Sequence, residues 1–93
     1  MIKSFRDKET KKIFLGERSK KFPSEIQQRA RRKIDSLELA EKIEDLYAPP
    51  SNHLELLYGD RKGQWSIRVN DRYRVCFRWE KNHAEDVELV DYH

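Results

Sequence analysis

The chain has 93 residues, of which 40% are charged, with a net charge of +3 and one cysteine, so it has room for one two-layer core and cannot form an intrachain disulfide. It contains no apolar run near the roughly 20 residues of a membrane-spanning helix and no apolar signal-peptide core at its start, so a single cytoplasmic domain over residues 1–93 is expected. Charge is segregated, with residues 1–35 and 61–79 basic and residues 36–60 and 80–93 acidic, a pattern that suits local contact with nucleic acid and protein contacts elsewhere, and argues against non-specific coating of DNA.

Taken in order, Ile2 to Phe5 reads as a short strand and Lys8 to Leu15 as a short helix closed by Gly16, which accommodates the left-handed conformation common at helix ends. Ser24 is positioned to cap a longer helix in which Ile26, Ala30, Ile34 and Leu37 fall on one stripe. Arg29, Arg32 and Lys33 lie off that stripe, either as a solvated face or as a contact for an RNA backbone or a partner protein. A short helical piece over Glu41 to Leu46 stops ahead of Pro49 and Pro50. Leu54 to Tyr58 then reads as a strand, Gly59 to Gly63 as a turn, Asn70-Asp71 as a hairpin tip, Asn82-His83 as another turn and Val87 to Tyr92 as the last strand. Helices followed by an antiparallel meander predict an α+β domain, its two or three N-terminal helices packed on one face of the sheet and the other face open.

The hairpin is the most informative segment. Trp65, Ile67 and Val69 alternate with Ser66 and Arg68, and Tyr73, Val75, Phe77 and Trp79 alternate with Arg74, Cys76 and Arg78, so apolar residues take one face and arginines the other. Trp65 and Phe77 are expected beneath the helical stripe, Cys76 is expected to be a packing residue, and Arg68 and Arg74 are expected in one electropositive concavity. Arg61, Arg68, Arg72, Arg74 and Arg78 accompany a terminal Asp91-Tyr92-His93. Guanidinium groups bind phosphate oxygens through a fixed fork of donors and stabilise charge that develops at phosphorus. Histidine exchanges protons near neutrality, and a tyrosine ring stacks on a base. Phosphate-binding glycine loops, paired cysteines, metal-binding histidine helices and a nucleophilic serine elbow are all missing, and His53, His83 and His93 lie in separate segments. No metal site and no cofactor are expected.

The order of Met1-Ile2-Lys3-Ser4-Phe5, Pro49-Pro50, Gly59-Asp60-Arg61, Gly63 to Ile67, Asn70 to Arg74 and Val90-Asp91-Tyr92-His93 resembles HigB toxins of the RelE/ParE superfamily over nearly the whole chain. The resemblance implies a RelE-like fold and the toxin of a bacterial toxin-antitoxin module. It also implies a helix-turn-helix, HigA-like antitoxin as partner, operator DNA contacted only through the antitoxin complex, and cleavage of mRNA on the ribosome. By position, Arg74 matches the arginine at the scissile phosphate, and Asp91, Tyr92 and His93 match the active-site trio; Arg61, Arg68, Arg72 and Arg78 are the candidate RNA-binding residues. Tyr58 and Glu55 stand where some members have lysine and histidine, and His53 is a possible substitute on the same side as Glu55. The same resemblance leaves a second class open, a ParE-like toxin that inhibits gyrase by binding and cuts no RNA.

Overall fold

The structure, a computed structural model, describes residues 1–92. Two α-helices, α1 (Lys8–Phe14) and α2 (Ser24–Leu39), precede four strands, β1 (Glu55–Leu56), β2 (Trp65–Arg68), β3 (Tyr73–Glu80) and β4 (His83–Asp91). The strands form an antiparallel sheet in the order β1-β2-β3-β4, the α+β arrangement expected. Short 3-10 turns occupy Ile43–Tyr47, Pro50–Asn52 and Gly59–Arg61.

Helix α1 is capped by Asp7, whose carboxylate accepts from the Thr10 amide at 2.7 Å. The Thr10 hydroxyl also donates to Asp7 and accepts from the Leu89 amide at 3.0 Å, tying the helix to β4. Gly16 ends this segment at φ +82°, with the Arg31 guanidinium 3.1 Å from where a Cβ would stand. Helix α2 begins differently from expectation, because Ser24 is its first helical residue and Pro23 precedes it without a side-chain cap. The entry is held from inside the helix. Gln27 donates to the carbonyls of Ser19 and Phe22 at 2.7 and 2.8 Å and accepts from the Ser19 amide at 3.0 Å.

The predicted stripe of Ile26, Ala30, Ile34 and Leu37 is buried and shares one core with Ile67, Val75, Phe77, Val87 and Leu89, with Trp65 packed at its margin. Two expected strands are shorter than predicted. Residues 2–5 make only isolated parallel bridges to Ala84 and Val87. Between those two partners β4 is bulged, with Asp86 at φ +53° and its amide donating to the Ser4 hydroxyl, so no continuous ladder forms. The 54–58 strand contracts to β1 because the chain turns at Gly59, φ +68°, into its 3-10 turn.

The sheet face away from the helices is not open at its centre, contrary to expectation: Ser66 and Cys76 are both fully buried. They belong to a row of register partners, Glu55, Ser66, Cys76 and Glu88, that crosses all four strands. Burial pushes the Cys76 thiol up to about 11, with the Glu88 charge adding to the rise and Arg61 and Arg74 opposing it. Cys76 is therefore the packing residue its strand position implies.

Candidate phosphate site and cationic clefts

Arg74 projects from β3 onto this row and is held from three sides. Its Nε donates to the Ser66 hydroxyl at 2.8 Å, its Nη2 donates to the His53 carbonyl at 2.6 Å, and Nη2 stands 3.3 Å from the Glu55 carboxylate. His53 presents that carbonyl from a left-handed backbone, φ +45°. It thus contributes its main chain to the site, whereas the sequence had pointed to its ring. With 14% of the side chain exposed, Arg74 is a fixed, partly desolvated cation. Its Nη1 has no hydrogen bond within the protein among the described residues.

Arg61 approaches the same face from the Gly59–Arg61 turn. Its Nη1 donates at 3.1 Å to both Gln64 and Glu88, and Arg6 approaches the same Glu88 carboxylate at 3.8 Å. The row therefore ends in two carboxylates, Glu55 holding Arg74 and Glu88 holding Arg61. Tyr58, Asp60, Arg61, Val90, Asp91 and Tyr92 line an adjoining cleft of about 390 Å³.

Tyr92 reaches this cleft with 38% exposure, its amide donating to the Arg72 carbonyl at 2.7 Å. Asp91 pairs with Arg72 through contacts of 2.9–3.0 Å. Hydrogen bonding to Asp91, and then its charge, raise the Arg72 pKa above the usual guanidinium range. The pair ties Arg72, beside the β2–β3 turn, to the end of β4. Arg78 is exposed opposite Glu85, four residues from Arg74 and so roughly 13 Å along the strand. His93 lies outside the described residues.

Arg68 departs from the expected concavity. It faces Arg74 in the ladder, but its side chain pairs with Asp71 and lines a different cleft, of about 560 Å³, together with Arg29, Arg32 and Lys33 of α2. Side-chain parity gives the face at the Cα, while a long arginine at a strand end reaches beyond it. The helix pattern had set Arg29, Arg32 and Lys33 apart, but their meeting with Arg68 and the supports of Arg74 join residues distant in sequence, which no local pattern announced. Among the described residues, no group of three or more His, Cys, Asp or Glu is arranged to hold a metal ion.

Two helices on a four-stranded antiparallel meander, with a cradled arginine on the opposite face, make a RelE-like fold. The fold matches YoeB in the YoeB-YefM complex from Staphylococcus aureus at a TM-score of 0.61, covering 100% of this chain and 98% of that one at 16% identity. Residues 3–93 match the family described as the RelE-like toxin HigB of type II toxin-antitoxin systems. The chain is 39% identical over 80 residues to Toxin HigB-1 of Vibrio cholerae serotype O1, covering 85% of this chain and 84% of that protein. It is 31% identical over 93 residues to Endoribonuclease HigB of Proteus vulgaris, covering 100% of both. The chain belongs to the HigB-like toxin family, and its partner is an antitoxin.

Proposed function

We propose that the protein is an endoribonuclease that cuts mRNA on the ribosome without a metal ion, the RNA's own 2′-hydroxyl attacking the adjacent phosphorus. The oxygen–phosphorus bond forms as the bond to the 5′-oxygen breaks. One proton leaves the 2′-hydroxyl and another reaches the departing 5′-oxygen, giving a 2′,3′-cyclic phosphate and a 5′-hydroxyl end. The observation that carries this assignment is Arg74, anchored through Nε and Nη2 with Nη1 left over. A guanidinium fixed in advance stabilises charge as it develops on the phosphoryl oxygens, without reorganising during the step.

Arg61 on the face of Arg74 and Arg68 from the neighbouring cleft are phosphate-positioning groups, with Arg72 and Arg78 as outlying contacts to the RNA. Tyr92 stacks on a base or donates a proton, Asp91 orients its neighbours, and His93 serves as general acid or base. The endoribonuclease name of the Proteus vulgaris relative supports this reading. The antitoxin is a HigA-like helix-turn-helix protein through which the complex meets operator DNA, and the toxin acts in the cytoplasm. No helix among the described residues is long and apolar enough to cross a membrane.

The test is to sequence cellular RNA ends after brief expression. New 5′-hydroxyl ends within translated regions, absent from an Arg74→Ala strain, are the expected result. Growth arrest with intact RNA would assign the chain to the gyrase-inhibiting, ParE-like class instead.

A further inference from the structure

The cleft beside α2 gathers three helix cations that have no role in the cleavage chemistry. Arg29, Arg32 and Lys33 are spaced i, i+3 and i+4, which stacks them on one side of the helix, and Arg68 joins them from the end of β2. No aspartate or glutamate lines the cleft, and none of the three helix cations has a carboxylate within ion-pair distance among the described residues. The one acid near Arg68 is Asp71, whose side chain is 98% exposed, so solvent screens that pair.

The position of Lys33 is built. Its Nζ lies 2.6 Å from the Asn52 Oδ1, and Asn52 is fully buried, its own amide donating to the carbonyls of Leu46 and Ala48 at 3.0 and 3.1 Å. The ammonium is thus carried on a fixed frame beside two arginines. Partial burial, then the charges of Arg29 and Arg68, lower the Lys33 pKa, as expected where cations converge without acids. An anion entering the cleft relieves that repulsion.

The cleft wall favours phosphate over a protein segment. Its only apolar lining residues are Pro49 and Val69, with no aromatic side chain among them, whereas aromatic anchors are enriched where protein interfaces are strongest. Arg68 also connects the cleft to the cleavage site, since it and Arg74 are register partners with Cα atoms about 5 Å apart.

We propose that the cleft formed by Arg29, Arg32, Lys33 and Arg68 is a second RNA-backbone site, which holds the phosphates of the substrate strand as it runs on from Arg74 past Arg68. The proposal rests on the endoribonuclease assignment and adds the path of the strand.

The test measures binding of 2′-O-methyl RNA, which cannot be cut, to the whole chain at low salt by fluorescence anisotropy, using a trinucleotide and a dodecamer. Arg29→Gln/Arg32→Gln is compared with Arg18→Gln/Lys20→Gln, which removes the same charge elsewhere on the surface. The cleft variant is expected to bind the dodecamer about tenfold more weakly, with the salt slope reduced by about 1.4 for two lost phosphate contacts. It should bind the trinucleotide like the parent, and the control variant should bind both normally. Equal loss in the two variants, unchanged dodecamer binding by the cleft variant, or no dodecamer binding by the parent would overturn the proposal. So would a loss seen only toward the antitoxin, marking a protein surface, or only toward purified 30S subunits, marking a ribosomal RNA contact. Mapping RNA ends with the parent chain is independent of these outcomes, so a cutting enzyme whose cleft variant binds normally loses only the second site.

Discussion

Arg68 and Arg74 face each other across the β2–β3 ladder, yet they serve different surfaces. Arg74 lies inward over Ser66, held by the His53 carbonyl and Glu55, while Arg68 pairs with Asp71 and lines the cleft beside α2. The two guanidiniums divide the face between a fixed, partly desolvated cation and a more exposed one. Catalytic stabilisation needs the former, because a group that must first be ordered gives up part of its benefit.

The core beneath this arrangement depends on Phe77, which is fully buried with the α2 stripe and makes an edge contact with Trp79 at 6.3 Å. Phe77→Ala is expected to cost roughly 3–5 kcal/mol. Thermal or urea unfolding of the purified variant checks this, and an unchanged midpoint would reject this view of the core.

The alternations that place Phe77 inward and Arg74 outward were legible in the sequence, as was the Ile26, Ala30, Ile34 and Leu37 stripe, because strand and helix periods act locally. The start of α2 was legible to within one residue, but what holds it was not, since Gln27 rather than Ser24 does so through the carbonyls of Ser19 and Phe22. Nor were the supports of Arg74: His53 acts from 21 residues away through its backbone carbonyl, which side-chain chemistry does not reveal. The closed centre of the outer face has the same origin. Whether Ser66 and Cys76 are covered depends on where long side chains from other segments come to rest.

Cys76 gives a pH dependence. Its thiol titrates near 11 in the folded protein, above its ordinary 9.0, so folding favours the protonated form. That contribution is complete below about pH 9 and is lost as pH rises through about 11. Relative to the parent, a Cys76→Ala protein is expected to lose less stability between pH 9 and pH 11. Parallel melting curves check this, and identical pH profiles would contradict it. Alkylation of the native thiol near neutrality should be correspondingly slow.

Glu55 is placed to compete with RNA for Arg74. Its carboxylate stands 3.3 Å from the guanidinium while remaining 56% exposed, so a phosphate can displace it at modest cost, but its negative charge stays close by. Glu55→Gln removes the competing charge and is expected to tighten binding of a non-cleavable RNA by about two- to fivefold. Titration with labelled oligonucleotide checks the direction. Weaker binding would mean that Glu55 orders Arg74 more than it neutralises it.

The decisive substitution is Arg74→Ala. If the guanidinium meets charge that develops only as the 2′-oxygen attacks, its loss removes on the order of 2.7–4 kcal/mol of transition-state stabilisation, about a hundred- to a thousandfold in cleavage rate. Growth arrest should be lost with it. Folding should survive, because Arg74 sits on the sheet face opposite the helices, and the groups it leaves are a hydroxyl, a carbonyl and an exposed carboxylate that water can satisfy. Antitoxin binding by the purified variant, measured beside its melting temperature, separates lost chemistry from lost structure. Deleting His93 should lower cleavage comparably if it transfers a proton, and Tyr92→Phe should lower it less if the ring mainly stacks. If Arg74→Ala and the His93 deletion both still arrest growth while cellular RNA stays intact, the nuclease assignment falls and the toxin's target is a protein.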